Sequence, residues 1–157
     1  MLDNCKDAKE RWGGVNDLID KWLMERQELI VKFCDISTNP GSSQENTVER
    51  LQTFCQILVD YVSVGHFEIY DQLLSEADEF NNEDGKLLAT QVIPKIQKTT
   101  EVALDFNDRF DDIHKVDDGI EKLLEELENL GTMLEARFEL EDQMIKVMHN
   151  SQANLAT

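Results

Sequence analysis

Residues 117–150 read DDGIEKLLEELENLGTMLEARFELEDQMIKVMHN, and this stretch decides the fold class. Ile120, Leu123, Leu124, Leu127, Leu130, Leu134, Phe138, Met144, Ile145 and Met148 recur at steps of three and four, the period of one helix face. Asp117 and Asp118 put negative charge at the start, where the helix dipole favours it. Glu141 interrupts the stripe. A helix this long needs partners to cover its apolar face.

Three further segments supply them. The first is expected over 3–34, with the stripe Cys5, Ala8, Trp12, Val15, Ile19, Trp22, Leu29 and Phe33. Gly13-Gly14 is expected to break or bend it. Arg26 stands in a slot where an apolar residue is predicted. Residues 35–46 contain Asn39-Pro40-Gly41 and Ser42-Ser43, and read as a turn and loop. A second helix is predicted over 47–79, capped by Thr47, with the stripe Val48, Leu51, Cys55, Leu58, Val62, His66, Ile69 and Leu73. The run from Asn81 to Gly85 then turns the chain. A third helix is predicted over 86–112, where Pro94 either starts the main part or kinks it. Its face is Ile93, Ile96, Val102, Ala103, Phe106 and Phe110.

Clean strand alternation is missing, and so is any apolar run of about 18 residues. The expected fold is therefore all-α: an antiparallel up-down-up-down four-helix bundle with long helices. One domain is expected over 1–150, with a disordered tail over 151–157.

The chain carries 33 acidic and 15 basic side chains, a formal net charge of −18. Such a surface argues against direct binding to nucleic acid or an anionic membrane. It fits a basic protein partner, or solubility alone. The polar, acidic run Met1–Asp7 is not expected to be a signal peptide. Cys5, Cys34 and Cys55 lack C-x-x-C spacing and read as thiols in a reducing cytoplasm.

Catalytic and metal chemistry find little support. A di-iron bundle needs Glu-x-x-His on two helices, and the nearest match is Asp111-x-x-His114. Cys55 and His66 would stand about 16 Å apart along one helix, too far for a dyad. No phosphate-binding glycine loop or nucleophile elbow is present. No catalytic residue, metal ligand or cofactor is assigned.

Arg26, His66 and Glu141 each interrupt the inward stripe of a different helix. A buried charge must be paired or neutralised, so Arg26 and Glu141 are expected to pair, with His66 nearby and Trp22 one turn from Arg26. Two readings stay open: a satisfied internal network that sets helix register, or an open polar cavity at one end of the bundle. Asp60, Ser63, Phe67 and Tyr70 form the neighbouring stripe of the second helix, at i, i+3, i+7 and i+10. That stripe is either a partner contact or a wide core face with Asp60 as a buried acceptor.

Residues 58–70, LVDYVSVGHFEIY, and residues 134–142, LEARFELED, together resemble the signature of the Rsd/AlgQ regulators, the regulators of sigma D. Asp20-Lys21-Trp22-Leu23 with Arg26, and Phe54-Cys55-Gln56, add to the resemblance. It covers about residues 2–150; the stretch from Glu76 to Asp118 is generic. The resemblance implies a bacterial cytoplasmic anti-sigma factor without enzyme activity. Such proteins bind the C-terminal promoter-recognition domain of the primary sigma factor, a small basic helix-turn-helix module. They hold that factor back from promoter and core RNA polymerase, which favours alternative sigma factors in stationary phase. In this reading Asp60 pairs with a sigma arginine or lysine, Phe67 anchors an apolar contact, and Ser63 allows close approach. Tyr61 and Tyr70 complete the expected partner contacts, and exposed Phe67 and Tyr70 would permit a weak homodimer. Two other classes fit the residues: a metal- or cofactor-binding bundle using Asp60, His66 and Glu141, and a general acidic adaptor.

Overall fold

The computed structural model describes residues 2–38, 44–64, 68–79, 81–110 and 119–156. Five helices make it up: α1 (Leu2–Thr38), α2 (Gln44–Val64), α3 (Tyr70–Glu79), α4 (Glu83–Phe110) and α5 (Gly119–Ala156). Among the described residues there is no strand, and no helix is long and apolar enough to cross a membrane.

The all-α expectation holds, with shifted boundaries. Gly13-Gly14 lie within an uninterrupted α1. Residues 35–38, expected in the loop, extend α1. Ile36 is buried there, and Arg50 of α2 donates Nη2 to the Asp35 carbonyl at 2.7 Å and Nε to its carboxylate at 2.9 Å. These bonds satisfy an end that composition alone reads as loop. Thr47 lies inside α2 and is not its cap. Where one helix was expected over 47–79, the structure has α2 and α3, with Glu68 and Ile69 in a π-helical turn. Pro94 lies exposed inside α4, away from the buried stripe. Residues 151–156, assigned to a tail by composition, fall within the bounds of α5.

The turn between α3 and α4 is where the sequence places it, and its chemistry is complete. Asn81 adopts φ 54°, a left-handed conformation that asparagine tolerates. Its N–H donates to the Asp78 carbonyl, and that of Asn82 to the Ala77 carbonyl, the Schellman pattern that closes a helix end. Asn82 then caps α4 by accepting the Gly85 N–H on Oδ1 at 2.9 Å.

Buried positions follow a four–three alternation. In α4 they are Gly85, Ala89, Val92, Ile96, Thr99, Ala103, Phe106 and Phe110; in α5 they are Leu123, Leu127, Leu130, Leu134, Arg137, Glu141 and Met144. This is the pattern of helices packed knobs-into-holes. α1 packs against α2 and α5, α2 against α4, and α4 against α5, while α3 rests on α4 and α5. Cross-helix pairs advance along one helix and recede along the next. Trp22 meets Tyr61 and Phe33 meets Phe54. Arg26 meets Glu141, while Phe33 meets Gly131. Gly131 allows that last approach: a Cβ there would lie 2.7 Å from Phe33 Cζ. A mid-helix glycine costs about 1 kcal/mol relative to alanine, and the Phe33 ring occupies the space it leaves.

Candidate functional site

Midway along α1, α4 and α5 the core turns polar and closes on Glu141. This carboxylate sits in α5 with no exposure. Tyr61 of α2 donates its hydroxyl to Oε1 at 2.6 Å, and Tyr70 of α3 donates its hydroxyl to Oε2 at 2.5 Å. Arg137, one turn earlier on α5 and also without exposure, donates Nε to Oε2 at 3.3 Å. Arg26 of α1 donates Nη2 to Oε1 at 3.4 Å. Each phenol is a relay: Tyr61 accepts from Arg26 Nε at 3.0 Å, and Tyr70 from Arg137 Nη2 at 3.0 Å.

The Nη1 groups of both guanidiniums are also used. Arg137 Nη1 donates to the Thr99 and Thr100 hydroxyls at 3.1 and 2.6 Å, which ties in α4. Arg26 Nη1 donates to Asp142 Oδ1 at 2.6 Å, at the edge where solvent begins. Two guanidiniums therefore face two carboxylates. Rings enclose them: Trp22 stacks on Tyr61 at 5.2 Å and 9°, and Arg26 lies over Phe138 at 4.8 Å and Trp22 at 5.5 Å. Such stacking suits a guanidinium that is only partly hydrated.

Burial pushes the Glu141 carboxyl up; Arg137, the two hydroxyls and Arg26 pull it back. Burial, then the Glu141 charge, pushes both phenols far above their ordinary range, so they remain donors. Tyr61 and Tyr70 are the chain's two tyrosines, which makes the network directly observable. A group whose pKa is raised on folding contributes stability below its unfolded value, here 10.0, and loses it as pH rises beyond. Well above that pH, two phenols should cost about 2.7 kcal/mol of stability per pH unit. In an alkaline titration, tyrosinate absorbance should appear in one step together with loss of helical circular dichroism. Gradual tyrosinate formation in folded protein would show that solvent reaches the hydroxyls.

The family model described as "Regulator of RNA polymerase sigma(70) subunit, Rsd/AlgQ" matches residues 1–149. The chain belongs to the Rsd/AlgQ family. It is 36% identical to the protein named Regulator of sigma D of Yersinia enterocolitica over 149 residues, 93% of this chain and 89% of that one. It is similar to the proteins of the same name from Yersinia pestis, at 34% over 93% of this chain and 88% of the relative, and Enterobacter sp. strain 638, at 35% over 92% and 88%.

In this Rsd/AlgQ protein the expected site residues fall into four sets. Arg26, Trp22 and Glu141 come together in the buried network. Tyr61 and Tyr70, expected at a partner contact, are 0% and 2% exposed; their hydroxyls turn inward onto Glu141, so the contact role and the dimer argument built on Tyr70 are withdrawn. Asp60 is exposed and Ser63 partly buried on α2, which removes the reading of Asp60 as a buried acceptor. His66 and Phe67 lie outside the described residues. Arg137, Asp142, Thr99 and Thr100 joined the network without being expected there. The signal for Arg137 was its place in the four–three series Leu130, Leu134, Arg137, Glu141, Met144. Among the described residues no group of three or more His, Cys, Asp or Glu could hold a metal ion.

On the surface, Asp60 of α2 lies near Glu25 of α1. Burial, then the charges of Asp60 and Glu28, push the Glu25 carboxyl up. The outer face of the α1–α2 pair therefore concentrates negative charge around Asp60.

Proposed function

We propose that this chain binds the primary sigma factor by its C-terminal promoter-recognition domain, a basic helix-turn-helix module. Holding that domain lowers the factor's availability to core RNA polymerase and favours alternative sigma factors in stationary phase. The observation that carries the reading is exposed Asp60, set near Glu25 of α1, in an Rsd/AlgQ chain of net charge −18. A promoter-reading module presents lysine and arginine to phosphates, and an acidic face competes for the same cations and speeds encounter. Asp60 pairs with a sigma cation, Ser63 lets the partner approach, and Phe67 supplies the apolar anchor. Tyr61, Tyr70 and the Glu141 network act from beneath by holding α2 in place.

The frame for this is an antiparallel four-helix bundle of α1, α2, α4 and α5, with α3 against one end, forming a single domain over 1–150. The protein acts in the bacterial cytoplasm by occupying a surface, without catalysis, cofactor or contact with DNA. Titration with the purified sigma C-terminal domain at low and at physiological ionic strength tests the reading. Screening shortens from about 30 Å to about 8 Å over that range, and affinity should fall by about tenfold or more. An affinity indifferent to salt would sink a charge-led interface.

A further inference from the structure

In a chain of net charge −18, residues 85–100 (GKLLATQVIPKIQKTT) hold three lysines and no acid. They lie in α4, where Gly85, Ala89, Val92, Ile96 and Thr99 form the buried side. The opposite side meets solvent with Leu87, 61% exposed, and with exposed Gln91, Pro94 and Lys98. These four make one outward row at helical steps of four, three and four. Lys86 is held by Asp78 and Glu83, whereas Lys95 and Lys98 pair with no acid among the described residues. Beyond Lys98 the row turns acidic, at exposed Glu101 and Asp105.

The outer face of α1 is its counterpart. Asp20, Met24, Gln27 and Val31 are exposed there at the same steps of four, three and four. Met24 is 72% and Val31 54% exposed. Exposed Asp17 and Glu28 flank them, and Lys21 is the one exposed cation of residues 17–31. Each row thus carries an apolar pair seven residues apart, about 10 Å along a helix. Laid antiparallel, Met24 meets Pro94, Val31 meets Leu87, and Gln27 meets Gln91. Lys98, one turn beyond Pro94, then reaches Asp20, one turn before Met24. Within one molecule, α1 and α4 each pack on both α2 and α5, so the two rows face opposite sides.

We propose that the α4 row docks on the α1 row of a second copy of this chain. An acidic partner of another kind would satisfy the lysines; the α1 row satisfies the lysines and the apolar spacing together. The contact is head-to-tail, so each pair of copies keeps one row of either kind free and association continues past a dimer. It is also weak and transient. A stable interface buries about 1,600 Å2 in all, one helix row on another covers less, and the net charges of two copies repel.

Sedimentation equilibrium of the full chain at physiological ionic strength, over a concentration series reaching millimolar, tests the contact. The average mass of the parent should rise with concentration. Leu87→Asp and Met24→Asp should each stay monomeric, and both should melt like the parent because the side chains they replace are exposed. An equimolar mixture of the two should form a dimer and stop there, since one variant keeps the α1 row and the other the α4 row. Asp20→Lys and Lys98→Glu should each weaken association about tenfold, because like charges then face each other. Combined in one chain, where the pair is reversed, they should restore it. A parent that stays monomeric throughout the series overturns the proposal. So does parent-like association of Leu87→Asp or Met24→Asp, which would place the contact on another face, and so does a mixture of the two that stays monomeric.

Discussion

Glu141→Ala is expected to lower the stability of the fold by about 3–5 kcal/mol, the usual cost of removing one partner from a buried ion pair. The substitution leaves the Arg137 guanidinium, which has no exposure, without its carboxylate. It also removes the acceptor of both phenols. For a chain of this size the melting temperature should drop by about 10 °C. Glu141→Gln keeps an acceptor oxygen and loses only the charge, so its loss should be smaller. Thermal and denaturant unfolding followed by circular dichroism measure both. A Glu141→Ala protein melting within a degree or two of the parent would show that the network does not hold the helices together.

Asp60→Lys should act in the opposite way, leaving stability alone and removing partner binding. Asp60 is exposed, and substitutions at such positions change stability by about 0.5 kcal/mol or less. Across an interface the new ammonium would face the partner's cations, and like charges so placed cost several kcal/mol. Affinity for the sigma C-terminal domain should fall about 100-fold or more, while Asp60→Asn, which removes charge without reversing it, should cost about tenfold. Parent-like affinity for Asp60→Lys would remove the acidic face from the proposed site. The two substitutions thus separate the buried clamp from the surface it supports.

The contrast between these positions was partly visible in the sequence. Arg26 and Glu141 stood out because a charge on an apolar stripe must find a partner, and the structure brings them within 3.4 Å. Arg137 was hidden by its neighbour. Leu134, Phe138 and Glu141 also step by four and three, so the pattern accepts position 137 or 138 equally. The roll of α5 against α1 and α4 decides between them, turning Arg137 inward to Thr99 and Thr100 and leaving Phe138 at the margin under Arg26. Tyr61 and Tyr70 were misplaced for a related reason. A wide inward face and a contact stripe beside a narrow one share the same spacing. Tyr61 lies in the wide face, because α2 packs against α1 and α4 and its tyrosine also reaches Phe138 and Glu141 of α5.

Boundaries divided along the same line. The α3–α4 turn was legible because asparagine tolerates the left-handed backbone and caps the helix that follows, both local properties. The extension of α1 through Thr38 was not, since it depends on Arg50 arriving from α2. The sequence by itself determined the helical class, the number of long amphipathic segments, the acidic balance and the family, because periodicity, composition and motif are properties of the chain. Tertiary structure alone decided which polar residues are buried together and which carboxylate meets solvent. Periodicity says which residues share a helix face, whereas pairing and burial depend on what another helix, distant in sequence, places opposite that face.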